Sequence, residues 1–259
     1  PYKINSYKRI DKNLITIINI LKEHKINYWI CHGTLLGIIR DKKLIPWDHD
    51  IDIGVIENKI YRMTLPIMLK KKGFKEVKKT FLKKDGMLKF IKEGGREVDI
   101  NFYQIDKENK TAYVKWYIPK NLFMRTIDAL SFAKNYKGNF SKIINFFGFS
   151  EKFFLKIKKN LVINNLFYSH AGYSHKKEYA IKLKHYNFYG LKINVPEDFK
   201  SYLKDLYGKN WRIPHKNYNW IKHSPSTISL NKKFVLEELL SVLKNHSNYL
   251  FLRDFDINN

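Results

Sequence analysis

Between Trp47 and Val55 the chain reads WDHDIDIGV, with acids at Asp48, Asp50 and Asp52 and isoleucines at Ile51 and Ile53. Alternation with a period of two marks a strand, because successive side chains of a strand point to opposite faces of a sheet. The spacing predicts a strand that carries Asp48, Asp50 and Asp52 on one face and Ile51 and Ile53 on the other. Pro46 stops any helix from running into it. A chain built around this segment needs a sheet with one apolar face and one acidic face.

The surrounding sequence supplies partners for such a strand. INYWIC (26–31) reads as a buried strand, and Gly33-Thr34 then opens a short helical stretch through Arg40. Further on, MLKFIK (87–92) and REVDINFY (96–103) flank Glu93-Gly94-Gly95, which predicts a hairpin. Its second strand sets Val98, Ile100 and Phe102 on one face and Glu97, Asp99 and Asn101 on the other. Upstream, Ile10, Leu14, Ile17, Ile18 and Leu21 recur at helical spacing and predict an amphipathic helix over 7–24.

The remaining chain divides into two further zones. Residues 120–185 have helical, basic and aromatic character, and Ser150 is placed to cap a helix with Phe153, Phe154, Ile157 and Leu161 on one side and Lys152, Lys156 and Lys159 on the other. Residues 186–259 begin with the strand-like NFYGLKINV, continue as FKSYLKDLYGKNW, and end in an amphipathic stretch at 234–246. No repeat, Pro-rich linker or Gly/Ser linker separates these zones, so one domain over 1–259 is expected.

Composition narrows the class. The 259 residues include 44% hydrophobic and 15% aromatic side chains, enough to build a core and to exclude intrinsic disorder. The one cysteine, Cys31, excludes an intrachain disulfide and a Cys-rich zinc module, and it fits a reducing, cytoplasmic compartment. No run of eighteen apolar residues occurs, so no transmembrane helix is expected. The chain begins at Pro1 without an initiator Met or an apolar signal core, which leaves open a segment trimmed from a longer protein. A formal charge of +25 favours polyanions and anionic membrane surfaces, although a Lys-, Ile- and Asn-rich composition also follows from genome bias.

The chemistry concentrates in HGTLLGIIR (32–40) and IPWDHDIDI (45–53). Two carboxylates on one strand face, with a third from a neighbouring strand, can hold a divalent metal through hard oxygen ligands. Such cations suit phosphates, and a glycine before a helix admits a phosphate close to the helix amides. A lone D-x-D is common on solvated strands, and Gly-Thr is an ordinary helix start. Their combination with Val98-Asp99-Ile100 on a second strand points to a nucleotide-phosphate transferase.

The run GTLLGIIR followed by LIPWDHDIDIG resembles the LicD family, which includes bacterial phosphocholine transferases and is related to fukutin and fukutin-related protein. NFYGLKINVPEDFKSYLKDLYGKNWRIP (187–214) resembles the family's later segment more weakly. The resemblance implies an α+β, nucleotidyltransferase-like fold with a small mixed sheet flanked by helices, a helical basic insertion at 120–185, and C-terminal helices. It also implies transfer of a phospho-substituent, such as phosphocholine or an alditol phosphate, from a CDP-activated donor to a hydroxyl of a surface glycan, with release of CMP. The acceptor would be a saccharide, free or lipid-linked, and the cofactor Mg²⁺ or Mn²⁺.

Carried over by position, Asp50 and Asp52 match the paired metal ligands, and Asp99 resembles the third carboxylate and a general base. Gly33 and Thr34 resemble the phosphate-side loop. Arg40 matches the motif arginine, with a phosphate clamp and a salt bridge as its two readings. Asp48 and His49 are second-sphere candidates; for His49 a second-sphere or packing role is set against ligation of the metal. His32 reads either as a donor contact or as a buried, hydrogen-bonded histidine. Trp47 reads as a base-stacking group or as core, and Tyr207, Gly208 and Trp211 as architecture.

The basic stretch 134–184 has three readings: a solvated face, a patch for anionic membrane at the inner face of the cytoplasmic membrane, and a cradle for an acidic saccharide. A template-independent nucleotidyltransferase that releases pyrophosphate is the competing enzyme. A nucleic-acid-binding protein is the competing class, although no recognition motif accompanies the charge and no specific nucleic-acid partner is expected.

Overall fold

The computed structural model describes residues 10–77, 86–135, 140–164 and 166–229. The amphipathic stretch at 234–246 lies outside them. The chain forms two compact units, one from residues 1–116 and 172–228, the other from 117–171 and 229–259. It passes from the first to the second within one long strand and returns within another.

The first unit opens with helix α1 (Lys12–Glu23), which starts later than the apolar spacing predicts because Asp11 caps it, accepting from the Asn13 and Leu14 amides. Strand β1 (Tyr28–Ile30) is buried throughout. Helix α2 (His32–Arg40) leads to β2 (Asp50–Ile56), in which Ile51, Ile53 and Val55 are fully buried while Asp50 and Asp52 are partly exposed. The predicted alternation holds from Asp50 onward. Helix α3 (Lys59–Lys71) then carries the chain across to β3 (Lys75–Val77), β4 (Met87–Ile91) and β5 (Glu97–Asp106).

Strand β5 organises the unit. It runs parallel to β2, with Asp52 level with Asp99, and antiparallel to β4, with Lys89 opposite Asp99. The predicted hairpin therefore exists, turning at Gly94 with φ of 83°. Strands β6 (Thr111–Pro119), β7 (Tyr168–Lys176) and β10 (Thr227–Ser229) extend the sheet to eight strands, in the order β1-β2-β5-β6-β7-β10 with β4 and β3 beside β5. The α+β class and the mixed sheet agree with expectation, but the sheet is larger than the small one implied. The expected helical stretch 120–185 is also interrupted, since 168–176 is β7.

A two-stranded ribbon of β8 (Leu183–Phe188) and β9 (Leu191–Pro196) precedes helix α8 (Phe199–Tyr207), with the short α7 (Glu178–Ile181) before it and α9 (Trp220–His223) after it. Helix α8 buries Tyr202, Leu203 and Leu206 and ends at Gly208, whose φ is 85°, as its sequence predicts.

The second unit contains α4 (Leu122–Leu130), α5 (Ser141–Phe146) and α6 (Glu151–Ile163). Ser150 does not cap α6 through its side chain; its hydroxyl donates to the Phe147 carbonyl instead. The expected burial is partly inverted. Phe153 is 63% exposed, whereas Lys158 is fully buried, with Nζ 2.6 Å from Asp128 and 4.6 Å from the centroid of Phe132. An ammonium is tolerated there because a carboxylate and the faces of aromatic rings replace its water. Replacing Lys158 with Met is expected to lower the stability of this unit by about 1–3 kcal/mol, since partly exposed Asp128 can rehydrate. Denaturant titration with limited proteolysis at 117–171 would read this, and an unchanged midpoint would refute it.

Candidate functional site

The site is assembled where α2 meets β2. The Cys31 amide donates to the Asp52 carbonyl at 3.2 Å, and the Thr34 hydroxyl accepts from the Asp52 amide at 2.8 Å. These two bonds lock the start of α2 onto the acidic strand. Thr34 is therefore turned inward and positions Asp52, in contrast to the expected phosphate contact. The Gly33 and Thr34 amides lie at the Asp52 carboxylate, so the helix start already serves one anion.

Asp48, Asp50 and Asp52 come together although only Asp50 and Asp52 belong to β2. Asp48 is delivered by the turn after Pro46, with its amide donating to the Ile45 carbonyl at 3.1 Å. Its carboxylate accepts from the His49 amide at 3.1 Å and neighbours the Asp50 carboxylate. Burial, then the charges of Asp50 and Asp52, push the Asp48 carboxyl well above the usual range. Burial and the charge of Asp50 do the same to Asp52, against the pull of Lys89 and the helix amides. His49 itself is exposed, so the packing reading fails; its backbone amide holds Asp48.

Asp99 is beside Asp52 in the sheet, as the two-strand pattern predicts, but it is not an open ligand. Lys89 Nζ lies 2.7 Å from Asp99 Oδ1 and 3.0 Å from Glu97 Oε2, and the lysine side chain is only 8% exposed. Burial raises Asp99 to about 7 despite the lowering effect of Lys89. Burial alone would lower Lys89, but Asp99 and then Glu97 outweigh it and raise it. The sequence contained the signal for Lys89: a hairpin turning over Glu93-Gly94-Gly95 sets Lys89 opposite Asp99.

His32 takes the buried, hydrogen-bonded role. Its Nε2 is 2.7 Å from the Tyr103 hydroxyl, its Nδ1 is 3.4 Å from Asp52 Oδ1, and its amide donates to the Tyr202 hydroxyl at 3.3 Å. Burial lowers its pKa to about 3, so the ring is neutral. With Nδ1–H facing Asp52, Nε2 accepts from Tyr103, and both nitrogens are used. The His32 backbone has φ of 45°, a conformation that costs a non-glycine residue roughly 1–2 kcal/mol and that the surrounding bonds hold in place.

A cavity of about 610 Å³ opens beside Asp48. Gly33, Arg40, Trp47 and Asp48 line it on one side, and Tyr207, Trp211, His215, Lys216, Tyr218 and His223 on the other. Trp47 is 40% exposed with Lys216 Nζ 5.6 Å from its ring, so it is a wall of the cavity rather than core. Arg40 lines the cavity, and its Nε and Nη2 donate to Asp41 at 2.8 and 2.7 Å, which is the salt-bridge reading. Tyr207 and Trp211, expected as architecture, also line it. His215, Lys216, Tyr218 and His223 were missed, because they share no periodicity with an element and meet the acidic strand only through the fold.

The residues fit a divalent cation in one way. Among the described residues no three His, Cys, Asp or Glu side chains converge as a closed cage. Magnesium, however, is commonly bound by one or two carboxylates and completed by water and substrate phosphates. Asp50 and Asp52, with Asp48 adjacent, present crowded negative charge of the kind such an ion offsets, whereas Asp99 is already served by Lys89.

At Gly33 an added Cβ would collide with the Asp48 carboxylate. Gly33→Ala is expected to reduce turnover about 10–100-fold by displacing that group, with a small change in stability. Turnover and thermal midpoint measured together would check this, and wild-type turnover would refute it.

Residues 25–141 match the family described as LicD/FKTN/FKRP, nucleotidyltransferase domain. An uncharacterised protein of Rickettsia typhi is 30% identical over 81 residues, covering 28% of this chain and 26% of that protein. The ribitol-5-phosphate transferase FKTN of Mus musculus is 22% identical over 237 residues, covering 92% of this chain and 40% of that protein. The chain thus spans well under half the length of either relative. The crystal structure of the lincosamide antibiotic adenylyltransferase LnuA, with lincomycin bound, aligns at 13% identity and a TM-score of 0.39 over 75% of this chain and 84% of that one. The family match falls on the segment that carries GTLLGIIR and WDHDIDIG and bears out the resemblance read from them: residues 25–141 are similar to the LicD/FKTN/FKRP nucleotidyltransferase domain.

Proposed function

We propose that this protein transfers a phospho-substituent from a CDP-activated donor to a saccharide hydroxyl and releases CMP. The observation that carries this reading is a 610 Å³ cavity lined by aromatic and basic side chains and bordered by Asp48, whose carboxylate neighbours Asp50 and Asp52. The family assignment of residues 25–141 supports it, and a ribitol-phosphate relative fits an alditol phosphate as the transferred group. The core around β2 and β5 is then a nucleotidyltransferase-like framework.

In this reading Asp50 and Asp52 hold Mg²⁺ or Mn²⁺, which supplies Lewis-acid neutralisation of charge on the phosphates. Arg40 and Lys216 attract the donor's phosphates into the cavity, and the Trp47 and Trp211 rings offer flat faces to its apolar surfaces. The acceptor oxygen forms a bond to the distal phosphorus, and the bond from that phosphorus to the bridging oxygen breaks, so CMP leaves with the electron pair. The acceptor proton passes to Asp48, which borders the cavity and is pushed upward by its neighbours. Asp99, the expected base, is paired with Lys89 and lies level with Asp52 on the neighbouring strand. Thr34 and His32 keep Asp52 oriented.

Incubating the protein with Mn²⁺, a panel of CDP-linked donors and candidate glycans tests this directly. CMP release with a matching mass increase on the glycan is the expected result. Pyrophosphate release from a nucleoside triphosphate would favour the competing nucleotidyltransferase. Steeply salt-dependent binding to generic oligonucleotides without turnover of any CDP donor would replace both by nucleic-acid binding.

A further inference from the structure

The second unit carries a surface that the proposed chemistry does not use. Across α5, the turn after it and the start of α6, Phe140, Ile143, Phe146, Phe149 and Phe153 are 76%, 60%, 76%, 80% and 63% exposed. The rings are contiguous: Phe146 and Phe147 have centroids 5.6 Å apart, and Phe147 and Phe149 6.1 Å apart. Singly exposed apolar residues need no account, but a run of this density on one short segment marks a contact surface. A solvated basic face, one reading of this stretch, would not expose it.

Charge identifies the occupant. Residues 117–171 hold nine Lys and Arg against two acids, Asp128 and Glu151. Asp128 is paired with buried Lys158, and Glu151 accepts from the Lys134 amide, and with both acids counted the segment keeps a formal excess of seven positive charges. Lys142, Lys152 and Lys156 are exposed on the same segment, Lys152 and Lys156 flanking the side of α6 that carries Phe153. Aromatic rings inserted at the headgroup boundary, flanked by lysines, are the pattern of a surface that lies on an anionic bilayer. An apolar protein partner would match the rings but not the lysines, and a polyanion such as RNA would match the lysines but leave the phenyl edges wet.

We propose that the 140–156 face of the second unit docks on anionic lipid, the rings entering the interface and Lys142, Lys152 and Lys156 contacting headgroups. This stands independently of the transferase reading. No helix among the described residues is long and apolar enough to cross a membrane, so the contact is one of surface attachment.

Co-sedimentation of the full chain with vesicles tests it, using phosphatidylcholine alone and phosphatidylcholine mixed with phosphatidylglycerol. The expected result is pelleting with the mixed vesicles only, weakened by salt. The triple variant Lys142→Glu/Lys152→Glu/Lys156→Glu should bind at least ~100-fold more weakly, from the usual contribution of each basic residue near an anionic surface. Phe146→Ser/Phe149→Ser/Phe153→Ser should bind at least ~10-fold more weakly. Both should keep the wild-type circular dichroism and melting temperature, because every altered side chain is exposed. The proposal is overturned if the wild type does not pellet, if it pellets equally with neutral vesicles, or if both variants pellet like wild type. A dimer in analytical ultracentrifugation that the Phe changes abolish, without vesicle binding, would assign the face to a second copy instead.

Discussion

Asp52→Asn is expected to abolish donor turnover, by at least ~10³-fold, while making the metal-free protein more stable by about 1–2 kcal/mol. The two signs have one cause. Asp52 sits beside Asp48 and Asp50, and burial together with the charge of Asp50 penalises the negative charge of Asp48 and of Asp52. Removing one charge relieves the folded state, yet it also removes a carboxylate that the proposed cation needs. A merely structural aspartate, held by Thr34 and the start of α2, would behave oppositely and cost stability when neutralised. Addition of Mg²⁺ separates the cases further: saturation at 100 times the dissociation constant stabilises a binding protein by about 3 kcal/mol, and the variant should lose that gain. Melting curves with EDTA and with Mg²⁺, beside a CMP-release assay, provide the measurement. Turnover that survives the substitution would remove Asp52 from the site.

Lys89→Met should be the most destabilising single change in the first unit, at about 3–5 kcal/mol. Its ammonium faces Glu97 and Asp99 from the opposing strand, and Asp99 is 5% exposed. Methionine fills similar space but leaves Asp99 buried without its cation. The sign of the pH dependence follows. Asp99 is raised above its ordinary value even with Lys89 present, so its contribution favours the folded state when protonated and is lost as pH rises towards and through about 7. Without Lys89 the carboxyl rises further, and the variant should lose stability more steeply than wild type between pH 5 and 8. Adding Asp99→Asn should recover part of the loss, since an amide needs no counter-charge. Urea midpoints across that pH range for the three proteins would check this. A flat, wild-type-like profile for Lys89→Met would show that Asp99 does not depend on it.

The lysine also shows how far local pattern reaches. Asp50 and Asp52 were legible from period-two spacing, the hairpin from its glycines, and Asp99 as a third carboxylate on a second alternating strand; its level pairing with Asp52 came from the sheet register. Hairpin register placed Lys89 opposite Asp99 as well, but pattern alone gives no weight to a basic residue on a strand of a basic protein. Asp48 reached its neighbours through a turn rather than by the strand geometry that predicted it. Thr34 shows the limit from the other side: its motif position suggested a phosphate contact, and only the packing of α2 on β2 turned its hydroxyl to the Asp52 amide.

What the sequence alone determined is the acidic strand, its helix-opening glycine and the resemblance of residues 25–141 to the LicD/FKTN/FKRP domain, because each is written in contiguous residues whose backbone geometry is local. The tertiary structure decided which distant side chains complete the site. His215, Lys216, Tyr218 and His223 lie more than 150 residues from Asp48 along the chain and meet it at one cavity, since sheet pairing and the packing of α8 bring the segments together. It also decided the fate of the aromatic residues. Seventeen tyrosines and eighteen phenylalanines carry no mark of core or surface in their identity. Tyr103 and Tyr202 became fully buried supports of His32, while Phe146 and Phe149 were left in water, because burial depends on which faces find a partner and not on the side chain's own hydrophobicity.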